Sequence, residues 1–270
     1  MNGLGVLTFN LNNPGRERAE RQFVYLAKRP EQVLVLTETA GSVGCDLLAE
    51  RFTTAGYDVV FPRPQERGER GVMVVSRLKT RPAPVGVDYL PHRAVAVTVD
   101  TDRGPLDVIG LYVPSRNATQ TKIDRKVQFL EECRDKLSSG FEEARVVLGD
   151  FNVLERHHKP GYRFFQPFEY EFYDWFARAG YVDAFRSLHP DEAEYSWVGR
   201  TGDGYRYEHA HVSTSLAGSL RGCAYVHEPR TVPQRLTDHS ALSVQLAVAP
   251  VTPVPTTTPA GAAIATPSLF

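Results

Sequence analysis

The sequence predicts a mixed α/β fold, on three observations. Short runs rich in β-branched residues recur along the chain, polar or Gly/Pro punctuation separates them, and helical periodicity fills some of the intervals. The runs fall at residues 4–9, 33–36, 57–61, 72–75, 94–99, 108–113 and 146–148, lengths suited to buried strands. Ile123, Val127, Leu130, Cys133 and Leu137 share one helical face, and Phe168, Phe172, Trp175 and Ala179 share another. Residues 63–71, with Pro64, Gly68 and several charges, read as a loop, as do residues 154–167. From residue 249 the chain turns to Pro, Thr and Ala without a charge, a composition that buries too little apolar surface to offset ordering entropy. One catalytic domain over 1–248 and a disordered tail over 249–270 are expected.

Composition narrows the function classes. With 270 residues, 42% hydrophobic and 23% charged, the chain can build a sizeable core. A net charge of -1 excludes coating nucleic acid by bulk electrostatics, so any DNA contact must use a local basic groove. The 25 arginines against six lysines suit bidentate phosphate contacts, and a GC-rich coding sequence produces the same bias. Cys45, Cys133 and Cys223 are odd in number and widely spaced, which supports neither a disulfide framework nor a zinc knuckle. The chain enters a strand pattern at Leu4 without a basic leader and contains no 18-residue apolar run. The expectation is a soluble, cytoplasmic monomer with no membrane association.

Several polar residues stand at or near the ends of the apolar runs: Asn10 and Asn12, Glu38, Tyr112 and Arg116, Asp150 and Asn152, Glu208, then Asp238 and His239. Each alone reads as a turn former or a helix cap. Together, a carboxylate and an amide leaving one strand tip and a distant Asp-His pair suggest metal-assisted phosphoester hydrolysis. That chemistry must neutralise developing negative charge, align a water and stabilise the leaving oxygen.

The segments TFNLN at 8–12, LTE at 36–38, GLYVP at 110–114, GDFN at 149–152, YSW at 195–197, GYRYEHAHVS at 204–213 and TDHSAL at 237–242 carry a resemblance. Across residues 4–247 the sequence resembles the endonuclease/exonuclease/phosphatase superfamily, and within it the exonuclease III and apurinic-site endonuclease branch. The resemblance implies a four-layered α/β sandwich, two packed mixed sheets flanked by helices, with the active site where loops converge at one edge. It further implies Mg²⁺, with Mn²⁺ able to substitute, held primarily by Glu38 with Asn10 and Asp238 near the same site. Mg²⁺ takes oxygen ligands, usually one or two carboxylates, and keeps waters. By the same resemblance Asp150 orients or deprotonates the attacking water, Asn152 holds the phosphate or that water, and His239 donates to a phosphoryl oxygen. Tyr112 would contact the phosphate or the leaving oxygen, Arg116 the phosphate, and Asn12 the substrate. Trp197 would line the pocket and stack on a base or ribose, whereas Phe151 belongs to the core.

Glu208 departs from the pattern, because the family usually carries Asp where it stands. Glutamate extends its carboxylate by about 1.5 Å, and the expectation is that the backbone adjusts so that Glu208 still anchors His239. Strand alternation sets Arg206, Glu208 and Ala210 on one face and Tyr207, His209 and His211 on the other, so the two histidines are expected in a packing role. His157 and His158, between Arg156 and Lys159, read as a solvated or substrate-edge patch. A DNA nuclease cleaving phosphodiester or 3′-phosphate bonds is the first reading of function. The alternatives are a phosphomonoesterase for a nucleotide or other small phosphorylated substrate, and a non-catalytic nucleic-acid-binding module.

Overall fold

Every residue of strand β1 (Leu4–Asn10) is buried, yet its side chains enter two different cores. Leu4 and Val6 enter one and Leu7 and Phe9 the other. A strand covered on both faces must lie inside a stack of layers. The structure is a computed structural model that describes residues 3–83, 85–137, 140–141 and 143–259.

In chain order β1 is followed by α1 (Arg16–Ala27), β2 (Val33–Thr39), α2 (Val43–Thr54), β3 (Asp58–Val60) and β4 (Gly71–Ser76). Next come β5 (Thr80–Ala83), β6 (Ala94–Thr101), β7 (Gly104–Tyr112), α3 (Gln120–Lys136), β8 (Arg145–Asp150) and α4 (Pro167–Arg178). Then follow β9 (Tyr181–Asp183), α5 (Ala184–Leu188), β10 (Trp197–Val198), β11 (Gly204–Tyr205) and β12 (Glu208–Ser213). The chain closes with α6 (Thr214–Ala217), β13 (Leu220–Val226), α7 (Glu228–Thr231) and β14 (Ala241–Leu246). The strands form two mixed six-stranded sheets, ordered β13-β14-β1-β2-β4-β3 and β5-β6-β7-β8-β12-β9, beside a small β10-β11 pair.

Three cores separate four layers. Val6, Val35, Val74, Val108, Val146 and Val244 fill the space between the sheets. Leu34, Leu36 and Met73 pack the first sheet against Phe23 and Leu26 of α1 and Phe52 of α2. Ile109, Leu111 and Val147 pack the second against Phe129 and Leu130 of α3 and Phe172 and Phe176 of α4. Each such side chain contributes about 1.5–3 kcal/mol when fully buried, so this sandwich rests on hydrophobic burial. The sheets approach closely at Gly110, where a Cβ would stand 2.6 Å from Val35 Cγ1.

Helices α1 and α2 lay outside the sequence-based assignment, because α1 is so rich in Arg and Glu that Ala19, Phe23 and Leu26 do not stand out as a stripe. In α4 the buried stripe is Glu169, Phe172 and Phe176. This is one step round from the expected Phe168 and Trp175, which pack only partly against the core.

Order also runs past residue 248. The backbone N–H groups of Val251, Val254 and Thr257 donate to Asp100, Arg77 and Ala55, and Thr252 accepts from Lys79. The expectation of disorder weighed side-chain burial alone, whereas this segment is held through its main chain. Residues 260–270 of the expected tail lie outside the described residues.

Candidate active site

Parallel pairing gathers strand ends at one edge. β1 and β2 run parallel, as do β7 and β8, so Asn10, Glu38, Tyr112 and Asp150 all stand at carboxyl ends. β12 runs antiparallel to β8 and sets its first residue, Glu208, opposite Asp150. β14 runs antiparallel to β1, which returns Asp238 and His239, just ahead of it, to the same edge. The glycine before Asp150 is required by close approach, since a Cβ at Gly149 would lie 1.9 Å from the Leu111 carbonyl oxygen.

Backbone strain concentrates here. Asn12, Asn13, Glu38 and Asn152 are non-glycine residues in the left-handed region, with φ of 49°, 37°, 53° and 48°. Glu38 sits where the β2–β4 register shifts between Thr37 and Thr39, a bulge that turns its side chain out of the ladder.

At the centre, Asn10 Nδ2 donates to Glu38 Oε1 at 3.1 Å and to Asp150 Oδ2 at 3.0 Å. Ligand atoms of Glu38, Asp150 and His239 all lie within 4.8 Å of one another. His239 Nδ1 is 2.8 Å from Glu208 Oε1, which leaves Nε2 as the free ring nitrogen in the wall of the cleft. The expected backbone adjustment at Glu208 does not take the form of a bulge: the β8–β12 register is regular from Asp150 to Val146. Glu208 Oε2 is buried without a hydrogen-bond partner among the described residues. Tyr225 Oη donates to the Glu208 carbonyl at 2.5 Å, and Ser196 Oγ accepts from the Tyr207 and Glu208 N–H groups.

The electrostatics follow from burying two carboxylates, Asp150 and Glu208, beside the half-buried Glu38. Burial, then the charge of Glu208 and then that of Glu38, holds the Asp150 carboxyl well above the usual carboxylate range, against the pull of His239. Burial opposes the charged form of His239, but Glu208, by charge and hydrogen bond, followed by Asp150 and Asp238, carries its imidazole up to about 10. Tyr112 is raised well above a normal phenol by burial, Glu38 and Asp150, while Arg93 pulls it down from 4.7 Å off its ring. A compact group of buried carboxylates with one bridging amide suits a hard, oxygen-preferring divalent cation. Glu38 and Asp150 offer carboxylate oxygens, while the Asn10 amide turns Nδ2 to both and accepts from the Asn12 N–H at 2.8 Å through Oδ1. Asp238, expected near the same ion, accepts from Asn12 Nδ2 at 2.8 Å through one of its oxygens.

A cleft of about 900 Å³ opens beside these groups, walled by Asn152, His239, Trp197, Tyr205, Tyr207 and Phe165, with Arg116, Arg163 and Arg200 also lining it. Trp197 is half-buried in that wall and stacks on Tyr205, which stacks in turn on Tyr207. Arg116 reaches the cleft, but its guanidinium is paired with Glu169 and donates to the Phe164 carbonyl. Asn152 donates from Nδ2 to the Val113 carbonyl, and its N–H donates to Asp150 Oδ1. Phe151 is wholly buried.

Of the remaining histidines, His157 is exposed, whereas His158 departs from the expected solvated patch. It is buried, accepts from the Arg206 N–H at 3.0 Å through Nε2, and contacts the Pro160 carbonyl through Nδ1. His209 and His211 face away from Glu208, packed with Asp183 under α4, where His211 stacks on Phe176 at 4.1 Å. Ser196, Tyr225, Arg93, Lys126 and Glu169 were not anticipated as parts of the site. Lys126 did leave a trace, as a lysine three residues after Ile123 and four before Leu130 on the apolar face of α3.

No protein-family model matches the chain. It is 25% identical over 231 residues to an exodeoxyribonuclease of Bacillus subtilis (strain 168), covering 78% of this chain and 88% of that protein. Its structure is similar to an AP endonuclease from Archaeoglobus fulgidus, with a TM-score of 0.76, 25% identity, and 90% and 99% of the two chains covered. It is also similar to the 3′–5′ exonuclease NExo from Neisseria meningitidis, with a TM-score of 0.74, 25% identity and the same coverage.

Proposed function

Because the chain fits the exonuclease III branch of the endonuclease/exonuclease/phosphatase superfamily, we propose that it is a divalent-metal-dependent hydrolase of DNA phosphoesters, cleaving phosphodiester or 3′-phosphate bonds. The observation that carries this reading is the meeting of Glu38, Asp150 and His239 within 4.8 Å around the Asn10 amide, at the mouth of an aromatic and arginine-lined cleft.

In this reading Glu38 is the primary ligand of Mg²⁺, with Asn10 beside it. When bound, the ion supplies the positive charge that the carboxylate cluster lacks and polarises the phosphoryl group. Asp150, whose carboxylate is made more basic by burial and then by Glu208, takes the proton of the attacking water as its oxygen bonds to phosphorus and the bond to the leaving oxygen breaks. His239 carries its charge at neutral pH and donates from Nε2 to a phosphoryl oxygen, a charge-assisted hydrogen bond. Glu208 fixes the orientation of that imidazole through Nδ1. Asn152 and Tyr112 hold the remaining phosphate oxygens, and Trp197 stacks on the sugar or base beside the scissile bond. All of these residues come from one chain, so the reading requires no second copy.

The test uses Mg²⁺ with and without EDTA on duplex DNA bearing abasic or 3′-phosphate ends and, in parallel, on nucleoside monophosphates. Metal-dependent turnover of the duplex ends is expected. Phosphate release from the monophosphates alone would overturn the nuclease reading, and no turnover of any substrate would favour a binding module.

A further inference from the structure

Lys126 lies on the buried face of α3 with 1% exposure, beneath the wall of the cleft. Burial lowers its ammonium from the ordinary lysine range, against the opposing charge of Glu169. An ammonium in such a place needs strong partners to stay charged. It has two: Glu169 Oε1 at 2.7 Å and the backbone carbonyl oxygen of Asn152, also at 2.7 Å. The other oxygen of Glu169 pairs with Arg116 and accepts from the Gln166 N–H at 2.8 Å. Glu169 is therefore a fixed hub between α3, α4 and the loop after β7.

The Asn152 carbonyl is a telling place for a lysine to end. Asn152 holds a left-handed backbone with φ of 48°, a conformation that a non-glycine residue keeps only when its surroundings over-determine it. Its N–H is tied to Asp150 and its side-chain amide to Val113. The ammonium restrains the remaining polar group of the residue, the carbonyl, and with it the peptide plane leading to buried Val153. A rotation of that plane would swing the Asn152 amide relative to Asp150.

We infer that Lys126 is a positioning residue, whose ammonium, braced by Glu169, pins the Asn152 carbonyl and so fixes where the Asn152 side chain meets the substrate phosphate. The inference rests on Asn152 holding phosphate, as in the proposed function. It differs from a purely structural bridge between α3 and α4, because a bridge would act on stability and not through Asn152.

The test is a cycle of Lys126→Met and Asn152→Ala. Lys126→Met leaves Glu169 with Arg116 and the Gln166 N–H, so no carboxylate is stranded. Its kcat on 3′-phosphate duplex is expected to fall roughly 100-fold, the scale of a 1 Å misplacement, with KM shifted less than about threefold. Once Asn152 is already Ala, Lys126→Met should cost less than about twofold. Losses that multiply in the double variant overturn the inference. An arm that needs no turnover is the ¹³Cα and ¹⁵N shifts of Asn152, expected to leave their left-handed values in Lys126→Met; unchanged shifts also overturn it. Should Lys126→Met fail to fold, Lys126→Arg keeps the pair with Glu169 and is expected to give a smaller loss that again vanishes beside Asn152→Ala. If the wild-type protein hydrolyses nothing, the functional reading fails while the shifts still decide the role of Lys126.

Discussion

Shortening Glu208 to Asp withdraws its carboxylate by about 1.5 Å from a 2.8 Å contact with His239 Nδ1. On an unchanged backbone the gap becomes roughly 4 Å, beyond hydrogen-bond reach. The regular β8–β12 register, with Glu208 opposite Asp150, offers no slack to close it. A hydrogen bond to a charged group is worth about 1.5–3 kcal/mol, and 1.36 kcal/mol is tenfold in rate. Glu208→Asp should therefore lower kcat/KM roughly 10- to 100-fold on 3′-phosphate duplex DNA with Mg²⁺. A second readout is the His239 imidazole, titrated by ¹⁵N NMR in metal-free protein. Burial opposes its charge and Glu208 is the largest group sustaining it, so the value should fall from about 10 toward the ordinary histidine range. Glu208→Gln separates reach from charge, since it retains an acceptor at the same distance while the imidazole still loses its anionic partner. Wild-type turnover by Glu208→Asp, together with an unmoved His239 titration, would refute the account of a dyad set by the length of glutamate.

Two further predictions concern stability. His211 is buried with neither ring nitrogen partnered among the described residues, and burial drives its imidazole down to about 3. His211→Phe should stabilise the protein by about 1–3 kcal/mol at pH 8, the cost of an unsatisfied buried group. Because the unfolded histidine takes up a proton below about 6.5 and the folded one does not, that advantage should widen by about 2 kcal/mol at pH 5; a gap in urea stability that stays constant with pH sinks this. Glu155 behaves with the usual carboxylate sign. Burial would raise it, but Arg186 and Arg206 hold it at about 2, so its contribution is present above about 4.5 and lost as pH falls through 2. Glu155→Gln should be about 3–5 kcal/mol less stable at pH 7, with the deficit vanishing at acid pH; a deficit indifferent to pH contradicts the ion-pair origin.

What the sequence makes legible is what depends on single strands and their ends. Asn10, Glu38 and Asp150 could be found because each closes or follows an apolar run, and a strand end at an open edge needs a polar residue whatever its partners. Their convergence depends on parallel pairing of β1 with β2 and β7 with β8, which local pattern does not encode. The resemblance supplied that step. The Lys126–Glu169 pair stayed hidden because the lysine, although it falls on the apolar face of α3, has its partner on a different helix, and only packing α3 against α4 turns them into one buried ion pair. The pairing of Arg116, which reads as a phosphate contact, with Glu169 is hidden for the same reason, since that carboxylate lies 53 residues away. Residues 249–259 escaped a composition argument because they are held by main-chain bonds to Asp100, Arg77 and Ala55.

The central claim, that Asp150 activates the water in a metal-dependent phosphoesterase site, is tested most directly by Asp150→Asn, assayed for Mg²⁺-dependent turnover of 3′-phosphate duplex DNA beside a measurement of metal binding and of folding. The account predicts turnover reduced by at least about 100-fold, as expected on loss of a positioned general base, with the fold intact and metal binding largely retained through Glu38. Turnover at the wild-type rate by a folded, metal-binding Asp150→Asn protein would contradict it.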